Sequence, residues 1–243
     1  MSKLPNAPLL EVIFEIKWDI SKKSDIIDFQ YLHGDLYSNL KEKFPHRENL
    51  IPPEIPLDAV KGLPVFRYRE ERESYPLVQI GPGVITVNTI DSSYYWNKFS
   101  DEINNTINIF SNIYNNYDKL SLSPILTYID FFEYDKSKIT PIEFINSNLQ
   151  LNVNENFLNI DNANLSDVNF TFNYQIGNNI VSLNLRDGKI KDSKNGIIMQ
   201  TKVIGKKDIY TVANLAMWLE DTHKLNSNIF KSITKGHLFE SFK

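Results

Sequence analysis

The sequence predicts an α+β fold of two pseudo-symmetric halves, each with the element order β-α-β-β-β-α, in which an antiparallel sheet has its helices packed on one face. Three observations lead to this prediction. Residues 8–19 and 124–135 are similar proline-bounded apolar segments, offset by 116 positions. Helical patterns over 96–117 and 212–233 place apolar residues at the same offset. The intervening segments alternate between apolar and polar residues, which is typical of strands with one wet face.

An offset shared by a strand and a helix indicates an internal duplication, which would define the whole architecture. The halves are residues 1–123 and 124–243, as two domains or as one continuous domain. Related by a pseudo-two-fold axis, their strands would join into one long sheet.

The first half opens with a strand and a helix. Residues 10–18 alternate with period 2, which predicts a half-buried strand. Ser24 or Asp25 is the predicted cap of a helix with leucines at four-residue steps, and Pro45 ends it. The proline-rich stretch 45–64 predicts an irregular surface connection.

A meander and a second helix complete the first half. Ser92 or Ser93 is the predicted start of a helix with an aromatic and isoleucine stripe. The three strands of the meander are predicted over residues 65–70, 77–80 and 84–89.

The second half repeats this order with a shorter helix near 141–149, followed by an Asn-rich loop. Alternating segments on both sides of residues 177–179 predict a hairpin, and 197–204 is the third strand. The closing helix carries an apolar stripe that includes His223, and we expect Gly236 to end it.

Composition excludes several classes of function. The net charge is −4 with no local cluster of Lys and Arg, which disfavours nucleic acid as a partner. The absence of cysteine removes disulfides, thiolate metal sites and cysteine nucleophiles. The N-terminus lacks the apolar core of a signal peptide, and no run approaches the roughly 18 apolar residues of a membrane span. These features predict a cytoplasmic protein that does not enter a membrane.

Motifs for catalysis and cofactor binding are missing as well. The four histidines show no H-x-x-x-H or H-E-x-x-H spacing, so we expect no metal site. The sequence has no phosphate-binding loop and no G-x-S-x-G motif. We therefore predict no catalytic residue and no cofactor, and an enzyme is the less favoured class.

One set of candidate binding residues lies on the predicted solvent face of the sheet. These side chains would recognise a peptide or polar ligand, although an ordinary wetted sheet face has the same composition. The two arginines of the set also offer a nucleic-acid surface, which would show steep salt dependence. The set consists of Arg67, Arg69, Gln79, Asn173, Gln175 and Asn184.

A second set consists of polar and aromatic residues at predicted core positions. Asp130 is in register with Tyr128 on the presumed core face, where a carboxylate must be paired or protonated. It is either a structural anchor or a tuned acid. His223 lies in the apolar stripe of the last helix, as a hydrogen-bonded core histidine or a site residue. Together with Trp18, these residues would line a pocket between the halves.

Three blocks of the sequence resemble a sporadically distributed, functionally uncharacterised prokaryotic family. Asn6-Ala-Pro-Leu-Leu-Glu-Val12 is similar to the family's N-terminal N-A-P-[IL]-x-E signature. Residues 94–99 are similar to its W-x-x-F helix start, and residues 219–234 resemble its closing L-x3-H-x6-F-x2-[IL]-T helix. The family pattern has Asn where this chain has Asp130. The resemblance implies no established activity, and its scattered distribution implies a phage-defence or toxin-antitoxin context.

The sequence favours a non-enzymatic binding or accessory protein that docks a protein partner, or a second copy of itself, on the sheet face or in a groove between the halves. The alternative is an enzyme or a small-molecule sensor with a pocket between the halves. Asp130→Asn separates a binder from an enzyme. In a binder it mainly alters stability, whereas in an enzyme it abolishes activity with nearly unchanged thermal unfolding.

Overall fold

The computed structural model describes residues 4–115, 117–154, 165, 167–190, 194–234 and 236–243. The α+β class is confirmed, because these residues form one antiparallel sheet of ten strands with five helices. The strands are β1 (Leu9–Trp18), β2 (His46–Asn49), β3 (Phe66–Arg69), β4 (Leu77–Gly81), β5 (Val84–Ile90), β6 (Ser121–Glu133), β7 (Asn169–Ile176), β8 (Asn179–Ile190), β9 (Lys194–Ile204) and β10 (Asp208–Ile209). The helices are α1 (Lys23–Leu40), α2 (Trp96–Ile113), α3 (Pro141–Asn148), α4 (Val212–Ile233) and α5 (Gly236–Glu240).

The two similar segments of the sequence are neighbours in the sheet. The strand order is β2-β3-β4-β5-β1-β6-β9-β8-β7, with β10 paired to β6 beyond this path. β1 and β6 run antiparallel, with Val12 opposite Tyr128. β5, β4 and β3 follow on one side of this pair, and β9, β8 and β7 on the other. The pseudo-symmetry of the halves stays a prediction, which superposition of residues 9–113 on 121–233 tests.

The main core lies between the sheet and three long helices. Alternate residues of β1 are buried on the helix side, among them Val12 and Phe14. Leu36 of α1, Ile103 of α2 and Leu215 of α4 pack into the same cluster and are fully buried. A second core forms where α3 covers β8 and β9. The amphipathic periods therefore place the helices on one face.

Some predicted boundaries are wrong. β2 forms inside the stretch predicted to be irregular, because its polar residues pair with β3, with His46 opposite Arg69. α2 begins at Trp96 because residues 91–93 first form a 3₁₀ turn. Gly236 begins α5, and α4 already ends at Ile233. Most of the predicted Asn-rich loop lies outside the described residues.

The start of α1 also differs from its prediction. The N-cap is Lys22, ahead of the predicted Ser24 or Asp25. Asp25 instead lies in the first turn, where its carboxylate accepts hydrogen bonds from the backbone amides of Ser21 and Lys22 at 2.9 and 2.8 Å. These bonds satisfy donors that a helix start leaves without partners.

Gly34→Ala is expected to stabilise the protein by about 0.5–1 kcal/mol, because glycine in a helix interior costs conformational entropy. A Cβ at Gly34 would meet no atom within 4 Å. Urea unfolding measures the change. Gly62 is the matched control: it is equally uncrowded, but its φ of +75° strains any L side chain. Gly62→Ala should therefore destabilise, and a destabilised Gly34→Ala variant would contradict the account.

Candidate functional site

A cavity of about 880 Å³ lies at the seam between the two halves. Its wall combines the N-terminal segment 4–9, residues 94–97 at the start of α2, the end of β6, and α4 with α5. We call it the seam cavity. The polar side chains that line it include Tyr94, Trp96, Tyr128, Asp130, His223 and Asn226.

The N-terminal segment is anchored across one side of this cavity. The backbone N–H of Asn6 donates to the carbonyl of Phe242 at 3.1 Å, and the N–H of Phe131 donates to the carbonyl of Pro8 at 2.8 Å. The β1–β6 register shifts between Leu9 and Glu11, next to Asp130. Such bulges redirect side chains, and they are frequent beside functional sites.

Three neutral side chains form a hydrogen-bonded chain on the cavity wall. The hydroxyl of Tyr128 lies 2.9 Å from the hydroxyl of Tyr94 and 2.8 Å from Nδ1 of His223. Burial raises the pKa of Tyr94 to about 12 and the pKa of Tyr128 well above its usual value. Burial also lowers the pKa of His223 to about 4. All three groups are therefore uncharged at neutral pH.

An aromatic stack ties α2 to α4 at the same place. The ring of Trp96 lies 3.7 Å from that of His223, with 9° between their planes. The indole N–H of Trp96 donates to both carboxylate oxygens of Glu220 at 3.1 Å. Packing on one side and hydrogen bonding at the edge hold this wall in one orientation.

Asp130 is the carboxylic acid among the described residues that line the cavity. Its side chain is 5% exposed, and desolvation raises its pKa to about 7. Within the described part of the chain, no ion pair or side-chain hydrogen bond accompanies this carboxyl group. Of the two alternatives from the sequence, a paired carboxylate and a protonatable acid, this geometry fits the second.

Asn226 contributes a further polar group, whose amide oxygen accepts no hydrogen bond from a described residue. It is 4% exposed, and its amide nitrogen donates to the carbonyl of Thr222 at 3.1 Å. No described residue donates a hydrogen bond to its Oδ1. Buried acceptors in native proteins usually have partners, so such a group beside a cavity indicates a place for a ligand or water.

The structure brings three of the four predicted pocket residues together. Tyr128, Asp130 and His223 line the seam cavity, but Trp18 does not. Trp18 lies at the opposite end of β1, where its ring packs against Phe110 and Tyr114 at centroid distances of 5.0 and 5.8 Å. It belongs to the core.

Sequence reasoning missed three residues of the site. Tyr94 and Trp96 belong to the aromatic block at the start of α2, but nothing in their spacing connects them to β6 or α4. Asn226 follows His223 by three positions and so shares its helix face. That polar pair within an apolar stripe was the available signal.

The predicted sheet-face residues do not form one site. Arg67, Arg69 and Gln79 lie on β3 and β4, whereas the other three lie on β7 and β8. Four strands separate β4 from β8 in the sheet, or roughly 24 Å at the usual strand spacing. The two groups therefore form separate surfaces.

Internal contacts occupy several of these side chains. Arg67 donates to Glu48 at 3.2 Å, and Arg69 lies 3.5 Å from the same carboxylate. The Gln79 side chain, oriented to satisfy the network, accepts from Arg67 at 3.0 and 3.2 Å. Asn184 donates across to β7, and Gln175 donates to the adjacent turn at 2.7 Å. Asn173 is exposed.

Comparison with known proteins adds no assignment: no protein-family model, curated protein or solved structure matches the chain. The family resemblance therefore stays a prediction. In the part of the chain that the structure describes, no three metal-ligating side chains cluster, and no helix has the length and apolar character to cross a membrane.

Tyr128→Phe should cost about 1–3 kcal/mol, because it removes the hydroxyl that bridges Tyr94 and His223 and leaves both without this partner. The urea midpoint at constant m-value reports the loss. Tyr37→Phe is the control, since its hydroxyl makes one exposed bond to the carbonyl of Pro45. Equal losses of stability in the two variants would show that the hydrogen bonds of Tyr128 stabilise the protein no more than one exposed hydrogen bond does.

Proposed function

We propose that the protein binds a small organic molecule in the seam cavity and acts through this binding. One observation carries the proposal: aromatic walls and a few buried polar groups converge on a cavity of about 880 Å³. Small-molecule sites are typically concave, of about 300–1,000 Å³, and largely apolar with a few polar groups.

The position of the cavity supports a sensing role. Trp96 belongs to the first half of the chain, whereas Tyr128 and His223 belong to the second. A ligand in the cavity would contact both halves and stabilise the folded state by mass action. Such a protein would report the presence of its ligand to a partner.

Catalysis is the second candidate, and Asp130 is the observation that favours it. A pKa of about 7 suits proton transfer at neutral pH. The neighbouring groups are poorly tuned for the same task, because His223 is a weak base and Tyr94 a weak acid. Binding therefore explains more of the site than turnover does.

The accessory role in a defence or toxin-antitoxin system stays a prediction that this proposal accommodates, since a sensor requires a protein partner or a second copy of itself. The helix-free face of the sheet is the docking surface we propose for that partner. A cytoplasmic location is part of the proposal, supported by the absence of cysteine.

Native mass spectrometry of the tagged protein, purified from its own host, tests the proposal. Ser227 lines the cavity from α4, so Ser227→Trp should fill it. Asn228 is the next residue on the helix and is exposed, which makes Asn228→Trp the matched control. We expect a small molecule to accompany the wild type and Asn228→Trp and to be absent from Ser227→Trp. Identical results for all three proteins would exclude the cavity as the site.

A further inference from the structure

We infer that the ligand of the seam cavity is an organic cation, an amine or a quaternary ammonium compound, held between the Asp130 carboxylate and the aromatic wall. This inference rests on the proposed function, since it names the chemical class that the same cavity accepts.

Asp130 has no countercharge among the described residues. A buried carboxylate without a partner is costly, so ionised carboxylates inside proteins are normally paired. Asp130 is 5% exposed and lines the cavity, and no described Lys or Arg pairs with it. Asparagine at the same strand position would avoid the cost. A cationic ligand would supply the charge that the described residues do not.

The cavity also has an aromatic wall. The rings of Tyr94, Trp96, Tyr128 and Phe230 line the same cavity. The negative face of an aromatic ring attracts ammonium groups, and clusters of such rings are a common solution for binding quaternary amines. A carboxylate beside them adds a full charge at one end of the site.

The charges of the other lining side chains also favour a cation. Besides Asp130, the described residues that line the cavity include two whose side chains can carry a positive charge, His223 and Lys231. His223 is neutral, and Lys231 is exposed. Among the described residues, the buried side chains of this wall therefore supply negative charge alone. An anionic ligand would face Asp130 without a buried cation to offset the repulsion.

The hydrogen-bond acceptors of the site also favour a cationic ligand. The amide oxygen of Asn226 lacks a donor among the described residues. Desolvation alone raises the pKa of Asp130, with no contribution from a hydrogen bond. The N–H groups of an ammonium or amidinium ion are donors only, so they complement such a wall.

A matched set of probes tests the charge: tryptamine, tryptophol and indole-3-acetate share one ring and differ in charge, and tetramethylammonium is a small permanent cation. The chain has three Trp residues, of which Trp96 lines the cavity and Trp18 and Trp218 do not. The indole ¹H–¹⁵N signal of Trp96 therefore reports occupancy of the cavity, with the other two as internal controls. Calorimetry gives the dissociation constants.

We expect both cations to shift the Trp96 signal, and tryptamine to bind at least about tenfold more tightly than tryptophol. Asp130→Asn should weaken tryptamine at least tenfold and leave tryptophol unchanged, which also shows that the variant keeps its cavity. Two results would overturn the inference that the ligand is a cation and leave the proposed function standing. One is that tryptophol or indole-3-acetate binds as tightly as tryptamine or more tightly, and the other is that Asp130→Asn binds tryptamine with unchanged affinity. If neither cation shifts the NMR signal of Trp96, the inference that the ligand is a cation is also overturned. Native mass spectrometry tests the proposed function independently.

Discussion

Asp130→Asn is expected to make the ligand-free protein more stable than the wild type at pH 8, by roughly 2–4 kcal/mol. The pKa of Asp130 is about 7 in the folded protein and close to 3.8 in the unfolded chain. The unfolded state therefore releases this proton several pH units earlier than the folded state does. A pKa difference of this size corresponds to several kcal/mol.

The sign and the pH window follow from the raised pKa. Below about pH 4 the carboxyl is protonated in both states, so it contributes nothing to the pH dependence of stability. Between about pH 4 and pH 7 only the unfolded state ionises, and the wild type loses stability as the pH rises. Above pH 7 both states are ionised, and the destabilisation keeps its full value. The advantage of Asp130→Asn should therefore grow from pH 4 to pH 7 and then level off.

Asp135, two residues beyond the end of β6, is the matched control. Hydrogen bonds from the hydroxyl and the backbone amide of Ser137 lower the pKa of this exposed carboxyl group. Asp135→Asn should therefore change the pH dependence in the opposite direction, with a loss of stability at neutral pH that disappears in acid. Urea unfolding across the pH range measures both variants. A difference between wild type and Asp130→Asn that stays constant with pH would contradict a buried, unpaired acid.

Trp96→Ala should destabilise the protein by about 3–5 kcal/mol, the usual cost of truncating a large buried aromatic side chain. Trp96 is 8% exposed, stacks on His223 and donates to Glu220. Its loss would also leave the wall of the seam cavity open. Equilibrium unfolding in urea, followed by far-UV circular dichroism, gives the size of the effect.

Trp96→Phe is the milder variant. It keeps an aromatic ring against His223 but removes the indole N–H and part of the buried ring area, so it should cost less than the alanine variant. A loss below about 1 kcal/mol for Trp96→Ala would mean that this stack does not hold α2 and α4 together.

The predictable part of the fold follows the strongest periodicities. The alternation in β1, the leucine steps of α1 and the stripe of α4 each identified an element, because a buried face imposes its period on the sequence. The boundaries that failed depend on other forces. β2 is a short polar strand stabilised by pairing with β3, and propensity does not reveal such pairing. α2 begins at Trp96, after a 3₁₀ turn, and no N-cap side chain marks this start in the sequence.

The candidate site was predictable where polar residues interrupt an apolar stripe. Asp130 and His223 both stood out in this way, and both line the cavity. Trp18 did not belong with them, because periodicity gives the face of a strand and not the position along it. Leu9, at the cavity, and Trp18 are nine positions apart, or roughly 30 Å of strand. Tyr94 lies at the site because of tertiary packing, which its position in the sequence does not reveal.

Asp130 is central to the seam cavity, as a buried acid without a partner among the residues that the structure describes. The most direct measurement is the ¹³C chemical shift of its carboxyl carbon, followed by NMR through a pH titration of the ligand-free protein and assigned with Asp130→Asn. We predict a midpoint near pH 7. A midpoint near pH 4 would show that this carboxylate is solvated or paired, and the account of the seam cavity would be wrong.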